Sequence, residues 1–168
     1  MIRPYVQSDF SVMLTLINAA AEAYRGVIPC DCWTEPYMPA KELEHEISEG
    51  VEFWGFENAR TLIGVMGMQE VKDVTLIRHA YVSPSAQRQG IGETLLANCR
   101  KLTERPLLIG TWADAEWAIQ FYQKHGFQII PPQQKAPLLS NYWTIPERQI
   151  ETSVVLGDAR WFEIKHIS

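Results

Sequence analysis

Between residues 51 and 82, three runs of strand-forming residues follow one another with almost nothing between them. "VEFWGF" (51–56), "TLIGVMGMQEV" (61–71) and "VTLIRHAYV" (74–82) are rich in β-branched and aromatic side chains, and only Lys72 and Asp73 part the last two. A two-residue connection has room for a hairpin and for no crossover, so the runs predict an antiparallel meander. The rest of the chain has to be arranged around it.

Helical patterns flank the meander. Ser8 or Asp9 stands where a cap belongs, ahead of a helix whose apolar residues Phe10, Met13, Leu14, Ile17, Ala20 and Tyr24 recur three and four apart. Pro39 suits the first turn of a second helix, which carries Leu43 and Ile47 and stops at Gly50. Between them, "GVIPCDCWTEPYMP" (26–39) reads as an ordered loop. Beyond the meander, Ile91, Leu95, Leu96, Cys99 and Leu102 mark a third helix, and "LLIGTW" (107–112) a short buried strand. Asp114 is placed to cap "AEWAIQFYQKH" (115–125), which Gly126 ends. "FQII" (127–130) and "QIETSVVL" (149–156) predict two last strands, joined by a proline-interrupted loop (131–146). The order β-α-α-β-β-β-α-β-α-β-β is a mixed α/β layout on one layer of sheet. Residues 1–157 are expected to form one domain, with 158–168 as a C-terminal extension.

Charge and cysteine usage narrow the function classes. A net charge of −5 and a pI near 5.4 argue against a nucleic-acid partner. The longest apolar stretches are too short to cross a bilayer, so no membrane partner is expected, and "MIRPYVQSDF" shows no secretion-type apolar run. Three cysteines are too few and odd in number for a disulfide framework. The expectation is a soluble protein of the cytoplasm. Cys30 and Cys32, with His45, His79, His125, His166 and a lone Cys99 scattered elsewhere, make no ligand set, so no metal is expected.

The stretch "YVSPSAQRQGIGETLLANC" (81–99) puts Gly90 and Gly92 where a strand hands over to a helix. The first amides of a helix have no partner within it, and the dipole favours an anion there. The spacing fits neither a dinucleotide fingerprint, since Leu95 stands where the third glycine belongs, nor a P-loop, since Glu93 follows Gly92. A tight loop whose glycines merely permit the turn is the plain alternative.

The surrounding residues speak further. Gln87-Arg88-Gln89-Gly90-Ile91-Gly92 resembles the Gln/Arg-x-x-Gly-x-Gly/Ala signature of the GNAT superfamily of acyl-CoA-dependent N-acetyltransferases, and "AYVSP" is similar to that family's approach to the loop. "AIQFYQKHGF" (118–127) resembles the family's second signature, a helix with Phe-Tyr followed by Gly-Phe. The resemblance implies one mixed, mostly antiparallel sheet of about seven strands, helices on both faces, splayed between strands 4 and 5. It also implies that Gln87, Arg88, Gln89, Gly90, Ile91, Gly92 and Glu93 cradle the pyrophosphate of acetyl-CoA. Backbone groups of Ala80 and Val82 would hold its pantetheine arm and polarise the thioester.

By the same resemblance an amine attacks directly, and Tyr122 protonates the departing thiolate; packing beside Phe121 is its plain alternative. The base is less clear. An alkylamine of pKa about 10.4 has only about one molecule in 10³ neutral at pH 7. The two strand positions at which relatives place a glutamate hold Leu76 and Gly110. A water relay, a base elsewhere or an acceptor of low pKa stay open; His79, of suitable intrinsic pKa, is a candidate with a hydrogen-bonded, partly buried histidine as its plain alternative, and Glu70 and Asp114 stand behind it. The resemblance implies an acceptor site between residues 25–38 and 131–149, where Trp33, Tyr37, Tyr142 and Trp143, with Trp112 nearby, could line it and Glu35 and Glu147 could attract an amine. Fastening those loops to the body is the alternative role for the aromatics. The implied activity is acetyl transfer to a primary amine; the aromatic loops and missing glutamates point to a small molecule, with a protein N-terminus or lysine as the alternative, and a homodimer is compatible with the resemblance. A non-catalytic acyl-CoA-binding module is the rival reading.

Overall fold

The computed structural model describes residues 1–167. Its strands are β1 (Ile2–Pro4), β2 (Glu52–Asn58), β3 (Thr61–Val71), β4 (Val74–Val82), β5 (Leu107–Trp112), β6 (Gln128–Ile129) and β7 (Ser153–Gly157). The helices are α1 (Phe10–Ala21), α2 (Ala40–Ser48), α3 (Ile91–Leu102), α4 (Glu116–Lys124), α5 (Pro132–Tyr142), α6 (Glu147–Glu151) and α7 (Ala159–Ile167). The strands form a seven-stranded sheet in the order β1-β2-β3-β4-β5-β7-β6. The predicted meander is present, and β3, β4 and β5 fall where the sequence pattern sets them.

The chain divides into two compact units. The first comprises Met1–Ala23, Thr34–Glu70 and Ile77–Glu104. Its β1 and β2 pair antiparallel, as do β2 and β3, with a bulge between Phe56 and Glu57. Arg3 ties the start of the chain down, gripping both oxygens of Asp9 at 2.7 and 2.9 Å and pairing with Glu57. Asp9 therefore serves Arg3 and the amide of Val6 rather than capping α1. Met13, Leu16 and Ile17 of α1, Leu43 of α2, and Phe53 and Val65 of the sheet close one core. On the opposite face, Gly64 lets α3 come in close, because a Cβ there would lie 2.7 Å from Ile91 and 3.2 Å from Leu95. Strand β3 is buried continuously from Gly64 to Met68, as expected of a strand covered on both faces.

The second unit comprises Tyr24–Trp33, Val71–Leu76 and the chain from Arg105 onward. Strand β7 lies between β5 and β6 and is antiparallel to both. At the start of β4, the Thr75 amide donates to Pro106 at 2.9 Å. The core gathers Val74, Leu76, Leu108, Ile130, Leu138, Leu139, Val155 and Trp161. Asp158 is buried and accepts from the amides of Leu107 and Trp161, which fixes the start of α7 over β5.

Three expectations need correction here. Most of residues 131–146 is helix rather than loop: Pro132 takes the first turn of α5, where its missing N–H costs nothing, burial of Leu138 and Leu139 carries the helix through Pro137, and only Pro131 and 143–146 remain irregular. Residues 149–151 belong to α6, so the last strand begins only at Ser153. Asp114 does not cap α4, whose N-cap is Ala115 with no side-chain bond. The predicted extension forms α7 up to Ile167, and residue 168 lies outside the described residues.

Candidate functional site

In the first unit, β4 ends at Val82, and the Ser83 amide donates to Ile63 at 2.8 Å. A single turn over Pro84–Ala86 follows. The backbone then takes left-handed φ at Arg88 (+63°) and Gly90 (+78°) before α3 begins. The first bond inside α3 runs from the Thr94 amide to the Gly90 carbonyl at 3.0 Å, and the Thr94 hydroxyl adds a second at 2.8 Å. The amides of Ile91, Gly92 and Glu93 thus have no partner within the helix, and no side chain caps it.

Gly90 is where glycine is required, yet a Cβ there would meet nothing within 4 Å. The demand is conformational, and the space beside the backbone stands open. Gln87, Arg88 and Gln89 are exposed, while Ile91 is buried and anchors the helix start. The Gln87 side-chain amide reaches the Val82 carbonyl at 3.4 Å. An open groove of about 380 Å³ runs beside Ser83 and Leu62 along Val12, Thr15 and Ala19 of α1. Its lining is mostly apolar and holds no ionisable side chain.

One residue back from Ala80, His79 sits at φ +52° in the middle of β4. Its ring stacks on Phe53 with centroids 6.0 Å apart, and its Nε2 lies 3.5 Å from the Glu46 carboxylate of α2. That is an ion-pair distance without hydrogen-bond alignment, so the buried Nε2 has no formal partner. Arg78 meets the same carboxylate oxygen at 3.0 Å and donates to Gln69 at 3.0 Å. Burial works against ionisation of Glu46, but His79 and Arg78 outweigh it and hold the carboxyl below its ordinary range. Partial desolvation and the neighbouring Glu46 push the Glu42 carboxyl up. Neither Glu46 nor Arg78 stands out in the sequence. The available signal was the i,i+4 pair Glu42–Glu46, whose partner on β4 shows only once the strand's alternation is seen to break.

Of the expected aromatics, Tyr37 belongs to the first unit and Trp33, Trp112, Tyr142 and Trp143 to the second. Tyr37, in the first unit, shares a 2.9 Å hydroxyl–hydroxyl bond with Tyr81 of β4. In the second unit, Trp33 lies under Arg25 at 4.8 Å, and Trp112 ends β5 opposite Ser153. Tyr142 donates to Asp73 at 2.6 Å and packs on Trp161. Burial first, then that bond, push its hydroxyl up to about 12. The Trp143 indole lies 3.5 Å from where a side chain at Gly110 would begin. Residues 24–33 and α6 do meet, through the 2.8 Å pair of Asp31 with Arg148. Tyr122 on α4 is buried between Phe121 and Phe127. Glu35, Glu70, Asp114 and Glu147 are exposed. Among the described residues no group of His, Cys, Asp and Glu is placed to hold a metal ion, and no helix is long and apolar enough to cross a membrane.

Comparison with known proteins adds the family. Residues 18–138 match the model of the acetyltransferase (GNAT) domain, and this chain belongs to that family. No curated protein matches it significantly. Among solved structures, the PaiA N-acetyltransferase of Thermoplasma acidophilum, determined with coenzyme A, is 18% identical with a TM-score of 0.70 over 94% of this chain and 97% of that one. A GNAT-family acetyltransferase of Staphylococcus aureus Mu50 gives 18% and 0.69 over 94% and 97%. One from Elizabethkingia anophelis with acetyl-CoA bound gives 22% and 0.60 over 94% and 96%. At these identities the likeness is one of fold.

Proposed function

We propose that this chain is an acetyl-CoA-dependent N-acetyltransferase that passes the acetyl group directly to a primary amine of a small molecule. The observation that carries the reading is the end of β4: a loop with two left-handed residues, then a helix whose first three amides have no partner within it. Such a helix start stabilises an anion by about 0.3–1 kcal/mol, up to ~2 kcal/mol when partly buried. Residues Gln87 to Glu93 would hold the pyrophosphate, with Arg88 adding charge. Ala80 and Val82 would hold the pantetheine arm through their backbone. Amides there would also meet the oxyanion as it develops.

The acceptor nitrogen attacks the acetyl carbon, the carbon–sulfur bond breaks, and the thiolate takes a proton. Tyr122 is the candidate acid, since an ordinary phenol is protonated at neutral pH. The coenzyme-bound relatives support acetyl-CoA as co-substrate. Trp33, Tyr37, Trp112, Tyr142 and Trp143 are the side chains proposed to line the acceptor's approach. An acidic chain with free cysteines suits a cytoplasmic enzyme with neither nucleic acid nor membrane as partner, and a homodimer fits the family.

Release of coenzyme A thiol from acetyl-CoA across a panel of primary amines tests the reading. Turnover with at least one amine is expected, and Tyr122→Phe should slow it by about 10²-fold or more while sparing donor binding. The absence of a carboxylate at Leu76 and Gly110 favours a second reading, a binding or sensing module. Acetyl-CoA bound without thiol release to any amine is its signature and would overturn the enzyme reading.

A further inference from the structure

In a regular strand, neighbouring side chains point to opposite faces. Arg78 and His79 are neighbours on β4, yet both reach one oxygen of Glu46. The left-handed φ of +52° at His79 is what turns them to the same side. That conformation is uncommon away from glycine, and such strain gathers at functional sites, where the surroundings hold it in place. Here Phe53 of β2 stacks on the ring, Glu46 of α2 faces Nε2, and the absence of a side chain at Gly67 of β3 lets the Arg78 carbonyl approach. The next residue is Ala80, proposed above to hold the donor. The two positions that would otherwise offer a carboxylate base carry Leu76 and Gly110.

We propose that Glu46 is a positioning residue for His79: its carboxylate, 3.5 Å from Nε2, favours the tautomer with the proton on that nitrogen and leaves the Nδ1 lone pair to take a proton from the acceptor ammonium. The inference rests on the acetyl-transfer reading and supplies the base which that reading lacks. A nitrogen–hydrogen bond of the ammonium breaks and an Nδ1–hydrogen bond forms, giving a free amine and an imidazolium paired with Glu46. The amine attacks the acetyl carbon. As the carbon–sulfur bond breaks, the new amide nitrogen loses its extra proton, the thiolate gains one, and the imidazolium returns its own to water. The charged groups around the ring are Glu46 and Glu42 of α2 and Arg78 of β4, with His45 acting on Glu46. Gln69 of β3 holds Arg78 in place, so the guanidinium satisfies the carboxylate without displacing the imidazole.

The competing explanation is a static tie between α2 and β4, and a double-mutant cycle separates the two. Thiol release is followed with tyramine, benzylamine and cadaverine as acceptor probes, in wild type, Glu46→Gln, His79→Asn and the double variant. Asparagine is chosen because it tolerates the left-handed region. Glu46→Gln is expected to lower kcat by about 10- to 100-fold with little change in the KM for acetyl-CoA, and to add nothing in the His79→Asn background. Equal losses in both backgrounds, or none in either, would overturn the proposal while leaving the enzyme reading standing. No release by wild type with any probe would remove the enzyme reading and this inference with it. Should Glu46→Gln fail to fold, nitrogen-15 NMR of the wild-type imidazole decides: the proton on Nε2 supports the proposal, and the proton on Nδ1 overturns it.

Discussion

Replacing Gly67 by alanine probes the place where β3 lets the left-handed turn of β4 come close. A Cβ on Gly67 would lie 2.8 Å from the Arg78 carbonyl oxygen, 2.9 Å from Val51 Cγ1 and 3.1 Å from Phe53 Cε1. The carbonyl belongs to the sheet and cannot rotate aside, and Val51 and Phe53 are both buried. Gly55 provides the contrast. A Cβ there would be nominally closer to its neighbour, 2.5 Å from Leu62 Cδ2, but that atom is the free end of a flexible side chain. Overpacking that forces backbone to move costs about 1–3 kcal/mol, and in a domain of this size each kcal/mol lowers Tm by roughly 2–4 °C. Gly67→Ala should therefore lose about 2–12 °C, and Gly55→Ala distinctly less, despite its shorter nominal contact. Thermal unfolding followed by circular dichroism reads both. A Gly55 variant as damaged as the Gly67 variant, or a Gly67 variant as stable as wild type, would refute the reasoning.

Other outcomes follow from single contacts. Asp158→Ala strands the buried amide of Leu107, while that of Trp161 keeps the Asp158 backbone carbonyl, and should cost about 1–3 kcal/mol in urea unfolding, more than Asp158→Asn, which keeps an acceptor. A thiol reagent should label exposed Cys30 in the native protein and spare Cys99, whose thiol burial pushes up to about 12; Cys99 labelled at the same rate would contradict that burial. The hydrogen bond from Arg3 holds the Asp9 carboxyl below its ordinary range, and Glu46 lies low as well. Depressed folded-state values mean that the folded chain binds fewer protons than the unfolded one. Their stabilisation is therefore complete above the ordinary carboxylate range and fades as pH falls through it. Urea midpoints measured from neutral to acid pH should show this fall, and Asp9→Asn should flatten it.

What the sequence made legible were features set by local periodicity. The meander followed from the shortness of the Lys72–Asp73 connection, and α3 from its apolar spacing, because pleat and helix repeat have no tertiary rival there. Proline misled at 131–146, since its cost inside α5 is outweighed by burial of Leu138 and Leu139, a tertiary effect no local pattern shows. The glycine loop was legible in part, since residue type announces the left-handed Gly90 but not the left-handed Arg88. The meeting of Arg78 and His79 at Glu46 was not. It depends on a left-handed φ at a histidine, which nothing in the local sequence demands, and on α2 lying over that point of β4. The aromatics were singled out by their place in two loops of the family layout, which does not distinguish a pocket wall from a fastening, and the bond of Tyr142 to Asp73 is compatible with either role.

The central claim is that the loop from Gln87 to Glu93 and the start of α3 receive acetyl-CoA. A thermal-shift titration with acetyl-CoA on wild type and Gly90→Glu tests it most directly. Because a Cβ at Gly90 meets only open space, the variant should fold with a strain of about 1–2 kcal/mol and still present a carboxylate where the pyrophosphate would lie. At about 100 times Kd, a ligand adds roughly 2.7 kcal/mol of stability, some 5–10 °C here. A saturable rise of that size in wild type, absent from the folded variant, is the predicted result. No rise in folded wild type, or an equal rise in both proteins, would contradict the site.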